Sequence, residues 1–156
     1  MTPAMAQLRG RRLGPRDPKV TSRMMAAVRN KDSRAELALR RALHAAGLRY
    51  RLHAGDVPGR PDIVIRSRRL AVFVDGDLWH GNAEELRRRG RERLSDLFPS
   101  RTDWWVAKIE RNIARDRDVT RTLQRDGWIV VRLWEHDVLA DPAGAAQHVL
   151  RAVRGP

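Results

Sequence analysis

The sequence of 156 residues contains no cysteine. Disulfide bonds and zinc sites with thiolate ligands are therefore excluded. No apolar run approaches the roughly 20 residues of a membrane-spanning helix, and no signal-peptide core follows the N-terminus. The chain also lacks a P-loop, a glycine-rich dinucleotide-binding turn and any pattern that resembles a Ser/His/Asp triad. We therefore expect a cytoplasmic or nucleoid-associated protein without a membrane partner.

Positive charge is the largest excess in the composition. Lys and Arg together number 32 against 19 Asp and Glu, which gives a formal net charge of +13 at pH 7. This excess favours a polyanionic partner, and nucleic acid is the first candidate. The alternative is a solvated surface from an organism that prefers arginine. With 42% apolar residues, a chain of this length can bury an ordinary core as one domain.

The N-terminal part predicts a basic arm followed by two helices. Residues 1–16 mix Gly, Pro and Arg without periodicity, so we expect a flexible arm that precedes a domain at 17–156. Asp17 and Pro18 are typical of a helix start, with Asp as the cap and Pro at the first helical position. A second helix is expected to begin at Ser33.

The rest of the chain alternates between short apolar runs and segments with helical periodicity. This order predicts an α/β (α+β-like) fold, in which a mixed central β-sheet is flanked by helices. The expected strands lie at residues 49–52, 63–65, 70–74 and 128–133, and the last of these is expected to be buried. The expected helices lie at residues 84–93, from Thr102 or Asp103 to Gly127, and from Asp141 onward.

Acidic residues stand at the ends of two of the expected strands. Asp62 precedes the run 63–65, and Asp75 follows the run 70–74. If these strands are antiparallel neighbours, both carboxylates lie at one rim of the sheet. Oxygen ligands at that rim suit Mg²⁺, and the backbone carbonyl of Val74 is a further ligand of the same kind. The alternative is that the two aspartates are turn formers.

Three further residues close to the acids are candidates for chemistry or for DNA contact. His80 suits acid–base work because its unperturbed pKa lies near neutrality, although it can also be read as a surface histidine. Leu78 and Trp79 belong to the core if the strand continues; if the strand has ended, an exposed Trp79 can stack on a base or wedge between base pairs.

Glu36 lies three residues after Ser33, so a capping box already explains it structurally. The arginines of the segment 84–93 form either a solvated helix face or a phosphate-contacting surface. With a net charge of +13, we expect the second, and we assign DNA contacts to several arginines. These are Arg60, Arg87, Arg88, Arg89 and Arg91.

Six segments stand in the order, and close to the spacing, of a known enzyme family. In chain order they read MMAAVRNKDSRAEL, LRYRLH, VPGRPDIVI, AVFVDGDLWHG, WWVAKIERNIARD and GWIVVRLWEHD. Together they resemble the very short patch repair (Vsr) endonucleases, a branch of the PD-(D/E)XK nuclease superfamily, from about Asp17 to Asp137. The resemblance implies a restriction-endonuclease-like fold.

The resemblance also implies an activity. Vsr enzymes nick one strand of double-stranded DNA 5′ to the mispaired T of a G·T mismatch left by deamination of 5-methylcytosine. The chain would then be a Mg²⁺-dependent DNA endonuclease of very short patch mismatch repair, with Mn²⁺ as a substitute metal. The products would carry 5′-phosphate and 3′-hydroxyl ends. We expect a monomer, with mismatch-repair or defence proteins as further partners.

Roles follow for the residues that match the family's motifs. Asp62 would bind the metal together with the backbone carbonyl of Val74. His80 and Glu36 would be catalytic. Asp75 takes a position that often holds a catalytic histidine, and the carboxylate there adds a metal ligand while it removes a general acid. His80 would therefore carry more of the proton transfer.

The residues that match DNA-contacting positions depart in part from the family pattern. Leu78 and Trp79 occupy the place of an aromatic pair that wedges into DNA beside the mismatch. Leu78 stands where a Phe is usual, which weakens stacking. Met25 matches a methionine that enters from the other groove.

The family's structural zinc is held largely by cysteines, which this chain lacks. Asp77, Asn82 or Glu84, and His136 fall near the positions of those ligands. We expect no structural zinc here, because sites built only from Asp and His are uncommon. A hydrogen-bonded or ionic cluster would instead hold the 77–84 loop to the last strand.

Two other functions stay open. The chain could be a nuclease of restriction or phage defence that cuts other modified or structured DNA, since Leu78 alters the wedge and the 84–98 segment is long and arginine-rich. It could also be a non-catalytic DNA-binding module, although an acidic cluster opposes phosphate binding unless a cation is present.

Overall fold

The computed structural model describes residues 32–155. The expected basic arm at 1–16, the helix start at Asp17-Pro18 and the DNA-contacting Met25 lie outside the described residues. A search of the described helices found none that is long and apolar enough to cross a membrane.

The described residues form a mixed sheet with helices on both faces, as predicted. The helices are α1 (Arg34–Ala45), α2 (Ala83–Arg88), α3 (Thr102–Arg125), α4 (Glu135–Ala140) and α5 (Pro142–Arg154). The strands are β1 (Arg51–Leu52), β2 (Ile63–Ile65), β3 (Leu70–Asp75) and β4 (Ile129–Trp134). Short 3₁₀ turns at Arg66–Arg68 and Leu94–Leu97 complete the order.

The sheet has the strand order β1-β2-β3-β4. β2 pairs with β3 in antiparallel register, with Ile63 opposite Val72, which confirms the predicted arrangement of the two apolar runs. β3 pairs with β4 in parallel, and α3 lies in the connection between them. Asp62 comes immediately before β2 and Asp75 is the last residue of β3, so the topology brings both to one rim.

The core lies on both faces of the sheet because successive strand side chains point to opposite sides. On one face, β2 and β3 pack against α1, α4 and α5, and the fully buried residues there include Leu39, Val138 and Val149. On the other face, Val64 and Phe73 pack against Leu123 of α3. Burial of this apolar surface is the main term that stabilises the two layers.

Helix boundaries partly confirm the sequence reading. The side chain of Asp141 accepts a hydrogen bond from the backbone N–H of Gly144 at 2.9 Å, which confirms the predicted cap of α5. The predicted cap of α3 by Thr102 or Asp103 is wrong. The residue before the helix is Arg101, in a left-handed conformation with φ 52°, and the Thr102 hydroxyl donates to the carbonyl of Phe98.

The last strand also differs from the prediction of a buried strand. β4 runs over Ile129–Trp134, and Ile129 is 42% exposed. The reason is that β4 pairs only with β3 among the described residues, so it lies at an edge of the sheet. Helix α4, which follows β4 directly, is absent from the sequence prediction.

Candidate active site

A cavity of about 1300 Å³ lies at the rim where β2 begins and β3 ends. Seven of the predicted site residues line it: Glu36, Arg60, Asp62, Val74, Asp75, Trp79 and His80. Its acidic side chains are Asp32, Glu36, Asp62, Asp75, Asp116 and Glu135. Such a concentration of carboxylates in a chain of net charge +13 requires compensation by cations, either side chains or a metal ion.

Asp62 is held at this rim by the backbone of the neighbouring strand. Its Oδ2 accepts a hydrogen bond from the N–H of Val74 at 2.7 Å. Burial raises the pKa of Asp62 to about 7; the Val74 N–H opposes this rise, and the nearby carboxylates of Glu36 and Asp75 add to it. The negative charge of Asp62 is therefore poorly compensated by the protein's own groups.

Glu36 combines a helix-start position with a place in the cavity. The Ser33 hydroxyl accepts from the backbone N–H of Glu36 at 3.2 Å, so the first half of the predicted capping box is present. The Glu36 carboxylate instead reaches the backbone N–H of Asp32, at 3.1 Å. It also accepts from Arg40, one helical turn later, at 2.8 Å. Glu36 is only 5% exposed, so these bonds fix a buried carboxylate.

Asp75 is paired with Arg132, a residue that the sequence prediction missed. The Nη1 atom of Arg132 donates to both oxygens of Asp75, at 3.0 and 2.9 Å. Burial raises the pKa of Asp75, while the charges of Arg132 and His80 act in the opposite direction. Arg132 lies in β4 opposite Phe73, and its guanidinium stands 4.2 Å from the centroid of that ring.

His80 is oriented by Asp116, a second residue that the sequence prediction missed. The Nδ1 atom of His80 forms a direct hydrogen bond with Oδ2 of Asp116 on α3. Asp116 continues the apolar stripe of Ile109 and Ile113 at a spacing of three residues. An acidic residue on the core-facing side of a helix was the sequence signal that could have identified Asp116. Because the carboxylate accepts from Nδ1, the Nε2 nitrogen of His80 is left for proton exchange.

Trp79 packs in an aromatic cluster at the edge of the cavity. Its ring lies 5.6 Å from that of Trp105, which stacks on Phe98 at 5.3 Å. Asn112 donates to the Trp79 carbonyl at 3.0 Å. Trp79 and Leu78 are both half-buried, so each keeps a solvent-exposed surface.

Asp77 ties the loop after β3 to the end of β4, as expected for the hydrogen-bonded cluster. Its Oδ1 accepts from the side chains of Asn82, at 2.7 Å, and Arg88, at 3.3 Å. Its Oδ2 accepts from the backbone N–H of His136 at 2.9 Å. His136 thus contributes its backbone to the cluster, and three separate segments meet at one carboxylate.

The arginines of α2 are largely paired with acids of the same helix. Arg88 donates to Glu85 at 2.9 Å, and Arg89 donates to the same carboxylate. Arg87 lies 3.1 Å from Glu84, although its side chain is 71% exposed. Arg91 and Arg60 are exposed, and Arg60 lines the cavity.

The first turns of α1 and the end of β1 add a network that the sequence prediction missed. Arg40 donates to Asp32 at 2.7 Å as well as to Glu36, and its Nη2 lies 3.0 Å from Nε2 of His53. The i,i+4 spacing of Glu36 and Arg40 was the available signal. Nothing local indicated that His53 would join them.

Comparison with known proteins identifies the family. A model of the DNA mismatch endonuclease Vsr matches residues 16–86. The DNA mismatch endonuclease Vsr of Escherichia coli is 33% identical over 119 residues, which cover 76% of this chain and 71% of that protein. The chain belongs to the Vsr family. This Vsr-family protein is therefore a DNA endonuclease, a hydrolase whose substrate is DNA, with the restriction-endonuclease-like fold expected of the family.

Other relatives of this Vsr-family chain carry a different description. A type II nicking enzyme of Neisseria meningitidis serogroup C is 40% identical over 137 residues, which cover 88% of each chain. A type II nicking enzyme of Xanthomonas oryzae pv. oryzae is 43% identical over 133 residues, which cover 85% of this chain and 90% of the other.

Nucleases of this kind generally depend on a divalent metal, and the donor set at the rim fits one. Two groups of described residues cluster like metal ligands, Asp32 with Glu36 and His53, and Asp75 with His80 and Asp116. An arginine already lies in each group, Arg40 in the first and Arg132 in the second. Asp62 lies beside the first group, with Oδ1 4.0 Å from Nδ1 of His53, and among the described residues it forms no ion pair with an arginine. Its carboxylate can therefore bind a metal ion without first losing an arginine partner.

Proposed function

We propose that this protein is a Mg²⁺-dependent endonuclease that nicks one DNA strand next to a T·G mismatch. The observation that carries the proposal is the pairing, in one cavity, of the largely buried and poorly compensated Asp62 with the oriented histidine His80. These are the two parts that a metal-dependent phosphodiesterase needs, a metal ligand and a proton-transfer group. The similarity to the DNA mismatch endonuclease Vsr of Escherichia coli supports the mismatch as the substrate.

In this proposal, Asp62 and the backbone carbonyl of Val74 hold the metal ion. Bound Mg²⁺, for which Mn²⁺ can substitute, supplies positive charge at the scissile phosphate. The side chain of Asp62 is already anchored through Oδ2 by the Val74 N–H. That anchor fixes the orientation of the carboxylate before the metal binds, which lowers the entropic cost of assembling the site.

His80 exchanges the proton in the proposed reaction. Its Nδ1–H is held by Asp116, so Nε2 either takes a proton from the attacking water or gives one to the leaving oxygen. The Asp116 carboxylate stabilises the imidazolium form that appears when Nε2 gains a proton. Glu36 lines the same cavity and assists in positioning the water. The products carry 5′-phosphate and 3′-hydroxyl ends.

Asp75 has two roles open to it in this scheme. As a metal ligand, it would bind the ion through an oxygen that already accepts from the positively charged Arg132. As a positioning residue, it keeps Arg132 beside Asp116, where Nη1 lies 3.7 Å from the second carboxylate. The present hydrogen bonds favour the positioning role.

DNA contacts are proposed for Leu78 and Trp79 at the mismatch and for the exposed arginines along the backbone. Arg60 at the cavity and Arg91 on the arginine-rich segment are free to contact phosphates. Arg88 serves the loop cluster first, because its guanidinium is bound to Asp77 and Glu85. A single active site that nicks one strand needs no second copy, and we propose that the protein acts as a monomer.

The test is cleavage of strand-labelled duplexes that differ only by one G·T pair, in the presence of Mg²⁺. We expect a nick on the strand with the mispaired T and no cleavage of the matched duplex. Asp62→Ala should be inactive, while Asp118→Ala, which removes an exposed acid on α3, should cleave like the wild type. Cleavage by Asp62→Ala at the wild-type rate refutes the assignment of the site.

A second candidate function is nicking linked to a restriction system. The relatives described as type II nicking enzymes, at 40% and 43% identity, favour it. A panel of duplexes with matched, mismatched and modified bases in many sequence contexts separates the two functions. Equal cleavage of G·T and matched or modified DNA supports the restriction-linked or defence role, and defence proteins would then be the partners.

A further inference from the structure

His53 lines the cavity and Arg40 contacts it there, but neither residue takes part in the proposed reaction. Both are largely buried, with side chains 11% and 18% exposed. Arg40 lies on α1, one turn after Glu36, and His53 follows β1 in a left-handed conformation with φ 46°. A non-glycine residue in this conformation is uncommon and is tolerated where surrounding contacts hold it.

The contact between the two residues determines where the histidine carries its proton. Nη2 of Arg40 lies 3.0 Å from Nε2 of His53. A guanidinium has donors and no acceptor, so Nε2 must accept the hydrogen bond through its lone pair. With Nε2 as the acceptor, the ring N–H of His53 lies on Nδ1.

The Nδ1 side of the ring lies close to the proposed metal ligand. Nδ1 of His53 lies 4.0 Å from Oδ1 of Asp62. The other oxygen, Oδ2, is already bound by the N–H of Val74. The two chain segments are also joined directly, because the backbone N–H of His53 donates to the carbonyl of Asp62 at 3.3 Å. His53 thus faces the one oxygen of Asp62 that no backbone hydrogen bond holds.

We propose that His53 is a positioning residue for Asp62, and that Arg40 sets its tautomer. The N–H on Nδ1 orients Oδ1 of Asp62, and the bond from Arg40 prevents the proton from moving to Nε2. At 4.0 Å the pair is longer than a hydrogen bond, so the N–H acts on Oδ1 through its dipole. The inference rests on the proposed function, since it takes Asp62 as the metal ligand. Partners that orient a ligand commonly change metal affinity by 10–100-fold.

Two substitutions separate the two nitrogens of the ring. In His53→Asn the amide N–H₂ takes the place of Nδ1–H and the contact with Arg40 is lost. In His53→Gln the longer side chain reaches the position of Nε2 and the donor to Asp62 is lost. The exposed His148 on α5 provides a control, His148→Asn, that has no contact with the cavity.

Metal affinity of the full-length variants is the main readout, measured by titration calorimetry with Mn²⁺ alone. We expect His53→Asn to bind Mn²⁺ within about threefold of the wild type and His53→Gln to bind it roughly 10-fold more weakly. Circular dichroism and thermal unfolding establish that both variants are folded. Equal binding by both variants and the wild type overturns the inference, and so does a loss in His53→Asn as large as that in His53→Gln.

The tautomer has a direct test that needs no metal. The ¹⁵N shifts of the imidazole ring, assigned by the signals that vanish in His53→Asn, should show a protonated Nδ1 and an unprotonated Nε2 at neutral pH. The opposite tautomer or an imidazolium overturns the inference. Asp62→Ala separates this result from the proposed function: if that variant binds Mn²⁺ like the wild type, the metal assignment itself is wrong. If it does not bind while the His53 variants bind normally, only the role of His53 is wrong.

Discussion

Replacing Asp62 by asparagine should stabilise the metal-free protein at neutral pH while it abolishes cleavage. The carboxylate of Asp62 is largely buried beside other acids, and its pKa is raised from 3.8 to about 7. An amide oxygen can still accept the hydrogen bond from Val74, but it carries no charge. The variant therefore removes an unfavourable buried charge and keeps the local geometry.

The direction of the pH dependence follows from linkage. The folded state holds the Asp62 proton more tightly than the unfolded chain, so the contribution of this group to stability is largest below pH 3.8. It is lost as pH rises from 3.8 to about 7. At about 1.36 kcal/mol per pKa unit, a shift of about three units sets an upper limit of about 4 kcal/mol. Asp62 keeps 16% of its side-chain exposure, and water penetration and relaxation reduce the penalty, so we expect a measured gain of about 1–3 kcal/mol.

Urea unfolding in EDTA at a series of pH values from 4 to 8 measures this effect. The free energy of unfolding of Asp62→Asn should exceed that of the wild type at pH 8 and approach it at pH 4. Added Mg²⁺ should stabilise the wild type and leave the variant unchanged, because only the wild type binds the ion. Asp118→Asn, at an exposed position, serves as the control and should change stability by less than about 0.5 kcal/mol.

Two results would refute this reasoning. One is a constant stability difference between wild type and Asp62→Asn across the whole pH range, which would mean that the Asp62 proton is held equally in the folded and unfolded states. The other is a variant less stable than the wild type at pH 8 in EDTA, which would mean that the carboxylate is favourably compensated without a metal.

Further predictions concern the histidine, the loop, the metal and the arginines. Asp116→Asn should lower single-turnover cleavage by about 10²-fold or more, because it removes the acceptor that orients His80, and an unchanged rate contradicts that role. Asp77→Ala should destabilise the protein by about 1–3 kcal/mol in urea unfolding and increase amide exchange in the loop after β3, because three donors lose their acceptor; exchange equal to the wild type argues against the cluster. EDTA should abolish cleavage, and Mg²⁺ or Mn²⁺ should restore it, whereas activity in EDTA excludes metal dependence. Arg60→Ala should weaken DNA binding uniformly across sequences and reduce the salt slope by about 1, while a change confined to mismatched DNA would indicate base recognition.

Much of the fold could be predicted from the sequence because the signals for helix caps and for strand pairing are local. Ser33 and Asp141 cap their helices through residues three positions away, as the sequence patterns predicted. The two apolar runs around residues 66–69 predicted an antiparallel pair, and the pairing brings Asp62 and Asp75 to one rim. The six motifs also pointed to the Vsr family, which comparison with known proteins confirms.

The partners of the site residues were not accessible in this way, because they come from distant segments. Arg132 reaches Asp75 only because β4 lies parallel to β3 in a register that sets Phe73 beside Arg132. Asp116 reaches His80 because the long helix α3 packs on one face of the sheet and carries Asp116 to the loop that follows β3. These contacts join residues far apart in the chain, and hydrophobic periodicity carries no information on such registers.

The acidic rim shows which features follow from the sequence alone and which ones depend on the tertiary structure. Residue type and strand pattern were enough to place Asp62, Asp75 and His80 near one another and to suggest a metal-dependent nuclease. Which carboxylate is compensated by an arginine and which is left for a cation depends on side-chain contacts across the fold. Burial and electrostatic pairing, which alter the pKa of Asp62, exist only after distant segments pack together.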